Sequence, residues 1–418
     1  MGAREEAAYD VAAFTSPRLE RAGSPSQAAS AQAIFLHTSW RSGGTWLWSR
    51  CRASSRVCGF YEPLHEQAAR FRRRTVSSIR PGSWRSNHSE TAPYFEEYRS
   101  LIHPRGRGVP GYREEFAFDN FFRAPHDPTD PALETYLASL LASPQAYGKL
   151  PVLKFCRSLG RVGWLENLFP QALHLVVLRD PLAQFASIQR LLEQQRNRYF
   201  ALAPLLVLAR NAHHPQVRAA AAGLGVSLPA LFSADMDYAV ETCWRHVRRL
   251  SPAEQYRGFL AFWALCAISA LDSAAEVIDI DAMGTDPAQL QSAETLFRMH
   301  IGETIKLVPR TPAHATAGDF LPPGHAEAHA AALAFVQASR HRLTAQRFAL
   351  IADKLEIPAG AGCSTRITGW SSPTLPAPPG RRRAAQRGAT ALIVLLARAV
   401  QPLRRLHGAV AWKRAPDS

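Results

Sequence analysis

The sequence predicts an α/β fold with a mostly parallel central sheet, and three observations predict it. Short apolar runs lie at 33–38, 57–61, 150–155, 173–178 and 276–281, and helical patterning fills much of 181–270. Strands that alternate with helices need crossover connections, which pair them in parallel. The first run passes straight into a Gly-containing turn, and the fourth ends in Arg179-Asp180-Pro181, a strand end followed by a helix start. With 418 residues, 47% of them hydrophobic, the chain can bury a large core as one domain with insertions or as two domains.

Residues 1–32 read as a polar N-terminal arm, and the main domain spans 33–370. Ala33 to Leu36 is a short buried strand, and its apolar pattern stops at His37. Gly43 and Gly44 then let backbone amides approach an anion, while Thr45 to Arg50 begins a helix whose free amides and dipole favour negative charge. Arg41 adds a fork of donors, and Ser42 and Thr45 add hydroxyls. This order predicts a phosphate loop; an ordinary Gly-rich strand-to-helix connection is the competing reading. No Gly-Lys followed by Ser or Thr is present, so the loop lacks a nucleoside-triphosphatase signature.

The second strand, Val57 to Tyr61, delivers Glu62 and His65 near that loop. Glu62 is the first candidate for a general base, His65 the second and Glu66 the third, against a structural carboxylate or a surface His. Residues 62–144 form a candidate substrate region, in which Tyr94, Phe95 and Tyr98 either stack on a sugar or fill the core, the core being the safer reading. Lys154 and Arg157, on and after the third strand, face an acidic sugar or the cofactor, or form a structural salt bridge. Leu173 to Leu178 is a buried strand that places Arg179 at its carboxyl edge, and Ser187 follows about two helical turns on. Arg179 and Ser187 can converge on one phosphate, although a structural turn would explain the Arg-Asp-Pro alone. The helical stretch is interrupted at 213–215 and 226–234. A late Pro-containing loop leads into an Ala-rich helix at 324–337; its His314, His325 and His329 lack acidic or Cys partners, so no metal site is expected. Residues 371–380 read as a linker and 381–418 as a basic tail or helix.

The stretch TSWRSGGTW, Thr38 to Trp46, resembles the 5'-phosphosulfate loop of sulfotransferases that use 3'-phosphoadenosine 5'-phosphosulfate, in motif style closest to bacterial and carbohydrate sulfotransferases. LHLVVLRDPLAQFASIQR, Leu173 to Arg190, resembles that family's 3'-phosphate segment. VCGFYEPLHE, Val57 to Glu66, resembles a Glu-Pro stretch of its carbohydrate-modifying members. The likeness is strongest over 33–66 and 150–190 and weaker over 93–122 and 240–307. It implies a three-layer α/β/α, P-loop nucleotide-binding-like fold. It also implies donor contacts from Arg41, Ser42, Gly43, Gly44, Thr45 and Trp46, with Arg179 and Ser187 holding the 3'-phosphate. Gly44 stands where some members have Ser. The implied reaction is sulfuryl transfer to a hydroxyl, with a carbohydrate or glycolipid as the acceptor class, without a required metal. Glu62 or His65 would take the proton, with Arg41 stabilising the leaving phosphate. Tyr94, Tyr98, Lys154 and Arg157 would lie on the acceptor side, and Trp84, Trp164 and Trp263 are candidate adenine or substrate contacts.

The formal charge of +15 is unevenly spread, because residues 378–418 hold nine Arg or Lys against Asp417. The remaining body is moderately basic, which suits an anionic cofactor, and no zinc-finger spacing or RNA-binding aromatic signature points to nucleic acid. Six Cys without metal or paired spacing, and an opening without a secretory leader, suggest a reducing cytoplasm. Ala389 to Ala397 is too short to span a bilayer; with basic flanks it can lie on anionic lipid at a membrane's inner face or dock on the body. Two alternatives stand beside the transferase: a metal-dependent phosphotransferase, and a noncatalytic membrane-associated interaction module.

Overall fold

A computed structural model of the chain describes residues 31–86, 88, 92–308 and 321–356. The predicted N-terminal arm, the linker, the basic tail and His314 lie outside the described residues, apart from positions 31 and 32.

Five strands, β1 (Ala33–His37), β2 (Val57–Tyr61), β3 (Leu150–Phe155), β4 (Ala172–Leu178) and β5 (Glu276–Asp279), form one sheet in the order β2-β3-β1-β4-β5. Every pairing is parallel, and the central β1 sets Ile34 opposite both Val152 and Leu173. All five β1 residues are buried, as a strand covered on both faces requires.

The crossovers are helical. They comprise α1 (Gly44–Arg52), α2 (Arg73–Val76), α3 (Pro131–Gln145), α4 (Val162–Leu168), α5 (Pro181–Gln195), α6 (Tyr199–Arg210), α7 (Pro215–Gly223), α8 (Met236–Val247) and α9 (Pro252–Leu271). After β5 come α10 (Ile280–Thr285), α11 (Pro287–Ile301), α12 (His325–Ala338) and α13 (Ala345–Leu355). The period-two alternation of β4 divides them into layers. Val176 and Leu178 enter a core built with α5, α6, α9 and α12, while Leu175 and Val177 enter a second core with α1, α3 and α11. The α/β prediction is therefore met, with a helical layer on each face of the sheet.

Local sequence explains where the elements stop. Asp180 caps α5 by accepting from the Ala183 amide, with Pro181 in the first turn, and Ser251 and Glu254 form a reciprocal cap on α9. Strand β5 ends two residues before the predicted position 281, because Asp279 Oδ1 accepts from the Asp281 and Ala282 amides and starts α10 instead. No helix among the described residues is long and apolar enough to cross a membrane.

Candidate active site

Both predicted anion loops lie at the carboxyl edge of the sheet, on the neighbouring strands β1 and β4. The first runs from Thr38 to the start of α1. That helix has Gly43 at its N-cap and no side-chain cap, so its first amides remain directed at the loop. Gly43 has φ +91°, a conformation natural to glycine. Gly44 has a different reason: a Cβ there would sit 2.3 Å from Thr38 Cγ2, so the helix can approach the strand only without a side chain. At Gly44 the close approach to Thr38 thus demands glycine, and the absence of Ser at this position has a packing cause. The Ser42 hydroxyl turns inward, donating to the Ser39 carbonyl at 2.9 Å and accepting from its amide at 3.2 Å. Thr45 Oγ1 lies 3.2 Å from the Tyr61 hydroxyl, tying the loop to β2.

Arg41 bridges the two loops. Its backbone is left-handed, φ 66°, which for a non-glycine marks a conformation imposed by its surroundings. Its Nε donates to Ser187 Oγ at 3.0 Å, and its Nη1 reaches the Ser86 carbonyl at 2.9 Å and His88 Nε2 at 3.1 Å. Arg179 Nη1 donates to the Arg41 carbonyl at 2.7 Å, while its Nε and Nη2 are buried with no hydrogen-bond partner. Arg179 is only 3% exposed, and neither guanidinium pairs with a carboxylate among the described residues. Burial lowers the Arg41 pKa to about 10, with the Arg179 charge as the next cause. Arg179 is lowered as well, by burial more than Asp281 and Asp180 can restore. Two adjoining guanidiniums without a carboxylate, that of Arg179 buried with two donors unpartnered, make an arrangement that an anion would complete.

The other predicted groups meet in a separate cluster built on ion pairs. Glu62 also has a left-handed backbone, φ 48°, with its amide donating to the Lys154 carbonyl at 2.7 Å. Its Oε1 accepts from Lys154, and its Oε2 accepts from the Cys156 amide at 3.0 Å and Arg157 Nη1 at 2.9 Å. Arg157 Nη2 continues to Glu66 at 2.8 Å and to the Tyr199 hydroxyl. Burial pushes the Glu62 carboxyl up, but Lys154 and Arg157 overcome it and hold the pKa at about 2. A carboxylate with both oxygens in charged bonds is poorly disposed to take a proton. His65 accepts from the Gln67 amide through Nδ1 at 3.1 Å, so in the neutral ring its Nε2 carries the hydrogen. Burial drops its pKa to about 4.

Lys154 and Arg157 are 2% and 1% exposed and committed to Glu62, which is the salt-bridge alternative rather than an open acceptor surface. Tyr94 and Tyr98 are wholly buried, and the Tyr98 hydroxyl donates to the Tyr61 carbonyl, so these rings fill the core. Trp164 is buried under Arg123. Trp263 instead donates to the Arg179 carbonyl at 3.1 Å, behind the anion site. Trp84 is half-buried against His65, 5.0 Å between ring centroids, at the edge of the site. His329 is buried between the Tyr256 hydroxyl and the Leu355 carbonyl, a structural role.

Sequence reasoning missed three contributors. His88 stands alone in a polar segment with no informative spacing. Tyr199 begins α6, far in sequence from Arg157. Gln184, whose Nε2 donates to the Ser39 hydroxyl and the Trp40 carbonyl, was detectable, because it lies one helical turn before Ser187 on the same face.

No family model matches the sequence, and no curated protein is similar to it. Among solved structures, the chain is similar to a sulfotransferase from Alicyclobacillus acidocaldarius, with 13% identity over 75% of this chain and 95% of that one and a TM-score of 0.32. A likeness of that size carries no argument about activity, which must come from the site.

Proposed function

We propose that this chain transfers a sulfuryl group from 3'-phosphoadenosine 5'-phosphosulfate to a hydroxyl acceptor, with a carbohydrate or glycolipid as the acceptor class. The observation that supports this reading is the pair of half-buried Arg41 and buried Arg179, without carboxylate partners, between two loops on adjacent strand ends. One molecule carrying two separated phosphates satisfies both loops at once. Arg179 and Ser187 take the 3'-phosphate, while the α1 amides and Thr45 receive the 5' end. Arg41, between them, stabilises charge that moves onto the 5'-phosphate oxygen.

In the reaction, the acceptor oxygen bonds to sulfur as the bond from sulfur to the phosphate oxygen breaks. The electron pair leaves with adenosine 3',5'-bisphosphate, and the acceptor proton needs a base. His88 joins Glu62 and His65 as a candidate for this task, and it is the one that faces Arg41. Burial, Arg41 and Lys154 keep its imidazole neutral, and Nε2 is the acceptor that faces Arg41. Its Nδ1 donates to the Tyr94 hydroxyl at 2.5 Å, which lies 2.8 Å from Ser86 Oγ, so the ring is held in the accepting tautomer. Glu62 then serves to hold Lys154 and Arg157 beneath the loop.

The test is mass spectrometry of lipid and glycan extracts incubated with the full chain, the donor and a chelator. Sulfated product supports the reading; product only with magnesium and a nucleoside triphosphate favours phosphoryl transfer instead. H88A should lower turnover about 10²- to 10⁴-fold, the usual share of a general base, while still binding adenosine 3',5'-bisphosphate. Full turnover in H88A returns the role to Glu62. Peripheral contact of the basic tail with anionic lipid belongs to the same proposal, and equal liposome binding by a chain ending at Gly380 rejects it.

A further inference from the structure

Arg179 lies among acids and yet pairs with none of them. Asp180 follows it in the chain, and Asp279 is in register with Leu178 on the adjoining strand. Asp281 Oδ2 accepts from the Asp180 amide at 2.6 Å. A buried guanidinium so placed would ordinarily take a carboxylate, because an uncompensated buried charge is costly. Here Nε and Nη2 remain without partners.

The acids are engaged elsewhere. Asp180 Oδ1 accepts from the Ala183 amide at 2.7 Å, and Asp279 Oδ1 caps α10. Lys354 Nζ then lies 2.8 Å from Asp279 Oδ1 and 2.8 Å from Asp281 Oδ2, satisfying both with one compact ammonium. Lys354 comes from α13, the last described helix, and is only 9% exposed. The end of that helix is fixed: His329 Nδ1 donates to the Leu355 carbonyl at 2.8 Å, and the Tyr256 hydroxyl donates to His329 Nε2 at 2.5 Å.

We infer that Lys354 is a positioning residue for the 3'-phosphate site, holding Asp279 and Asp281 away from Arg179 so that its guanidinium stays open to an anion. The inference rests on the assignment of Arg179 to the 3'-phosphate. Without the ammonium, Asp281, whose charge already acts on Arg179, loses its cation partner, and a carboxylate that turns to Arg179 competes directly with phosphate.

The experiment uses the full chain and calorimetry with two probes, adenosine 3',5'-bisphosphate and adenosine 5'-monophosphate. K354M should weaken the bisphosphate about tenfold, the scale of one charged hydrogen bond, and leave the monophosphate unchanged. K354R and the double variant K354M/D281N should each restore the bisphosphate affinity. Equal weakening of both nucleotides would mean a general structural role and overturns the inference, as does a K354M protein with wild-type affinities. If K354M does not fold, D281N alone decides, since Asp279 still holds Lys354: bisphosphate affinity should be no weaker than wild type, and a loss would mean that Asp281 supports Arg179 rather than competing with phosphate. A wild-type protein with no preference for the bisphosphate overturns the Arg179 assignment along with this inference, whereas an intact preference that K354M leaves untouched overturns this inference alone.

Discussion

Two groups of cations sit under the same sheet edge, and the carboxylate is what separates them. Lys154 and Arg157 share Glu62, with Glu66 beyond, and both have their pKa raised, since these carboxylates, with Cys156, Tyr61 and Tyr199 beside them, outweigh burial. Arg41 and Arg179 have no carboxylate partner, and both are lowered, burial being the first cause. The first group carries its counter-charge within the fold; the second does not, which is why it is the proposed anion site. Burial of a basic residue therefore says little about function until its counter-charge has been located.

The comparison predicts its largest effect at Glu62. E62Q keeps the shape but strands two buried cations, so it should lose about 3–5 kcal/mol of stability, read from chemical denaturation. A loss below about 1 kcal/mol, the scale of an exposed pair, would erase the distinction between the groups. G44A strains the first loop without touching a charge. Its Cβ would meet Thr38, and overpacking of this kind costs about 1–3 kcal/mol in the same assay. An unchanged midpoint would show that the loop can move away from β1.

A third mode of burial lies beneath the loop, where polar groups stay neutral. His37 Nδ1 is 2.7 Å from Ser158 Oγ, and its Nε2 is 3.0 Å from His174 Nδ1. Burial is the first cause that lowers both imidazoles, His174 to about 4 against an ordinary 6.5. The unfolded chain thus binds more protons between pH 6.5 and about 4. Stability is full above that window and falls as pH drops through it, by about 1.4 kcal/mol per pH unit for each imidazole. Glu62, lowered to about 2 from 4.5, adds a further loss only below pH 4.5. A flat denaturation midpoint from pH 7 to 5 would mean that the His pair is charged when folded.

Much of the fold was legible because parallel strands buried on both faces are apolar throughout, and four of the five strands begin and end within a residue of their sequence positions. Strand β5 differed because a capping Asp, not hydrophobicity, ends it. The two strand-to-helix turns were legible for a similar reason: turn chemistry and helix starts are local. The partners of Glu62 were not. Lys154 and Arg157 offered an acidic-ligand reading and a salt-bridge reading with equal force, and only the register of β2 against β3, Tyr61 opposite Lys154, places the ammonium on the carboxylate. His88 and Lys354 reach the site from segments remote in sequence, where no periodicity points to them.

The most direct test of the account is R179M, read for stability and binding in the same preparation. The account predicts a denaturation midpoint equal to or above wild type, because a repelled, unpaired buried cation has been removed, together with a loss of adenosine 3',5'-bisphosphate affinity of about tenfold to a hundredfold. A variant that unfolds as readily as E62Q, or that binds the bisphosphate as tightly as wild type, would contradict it.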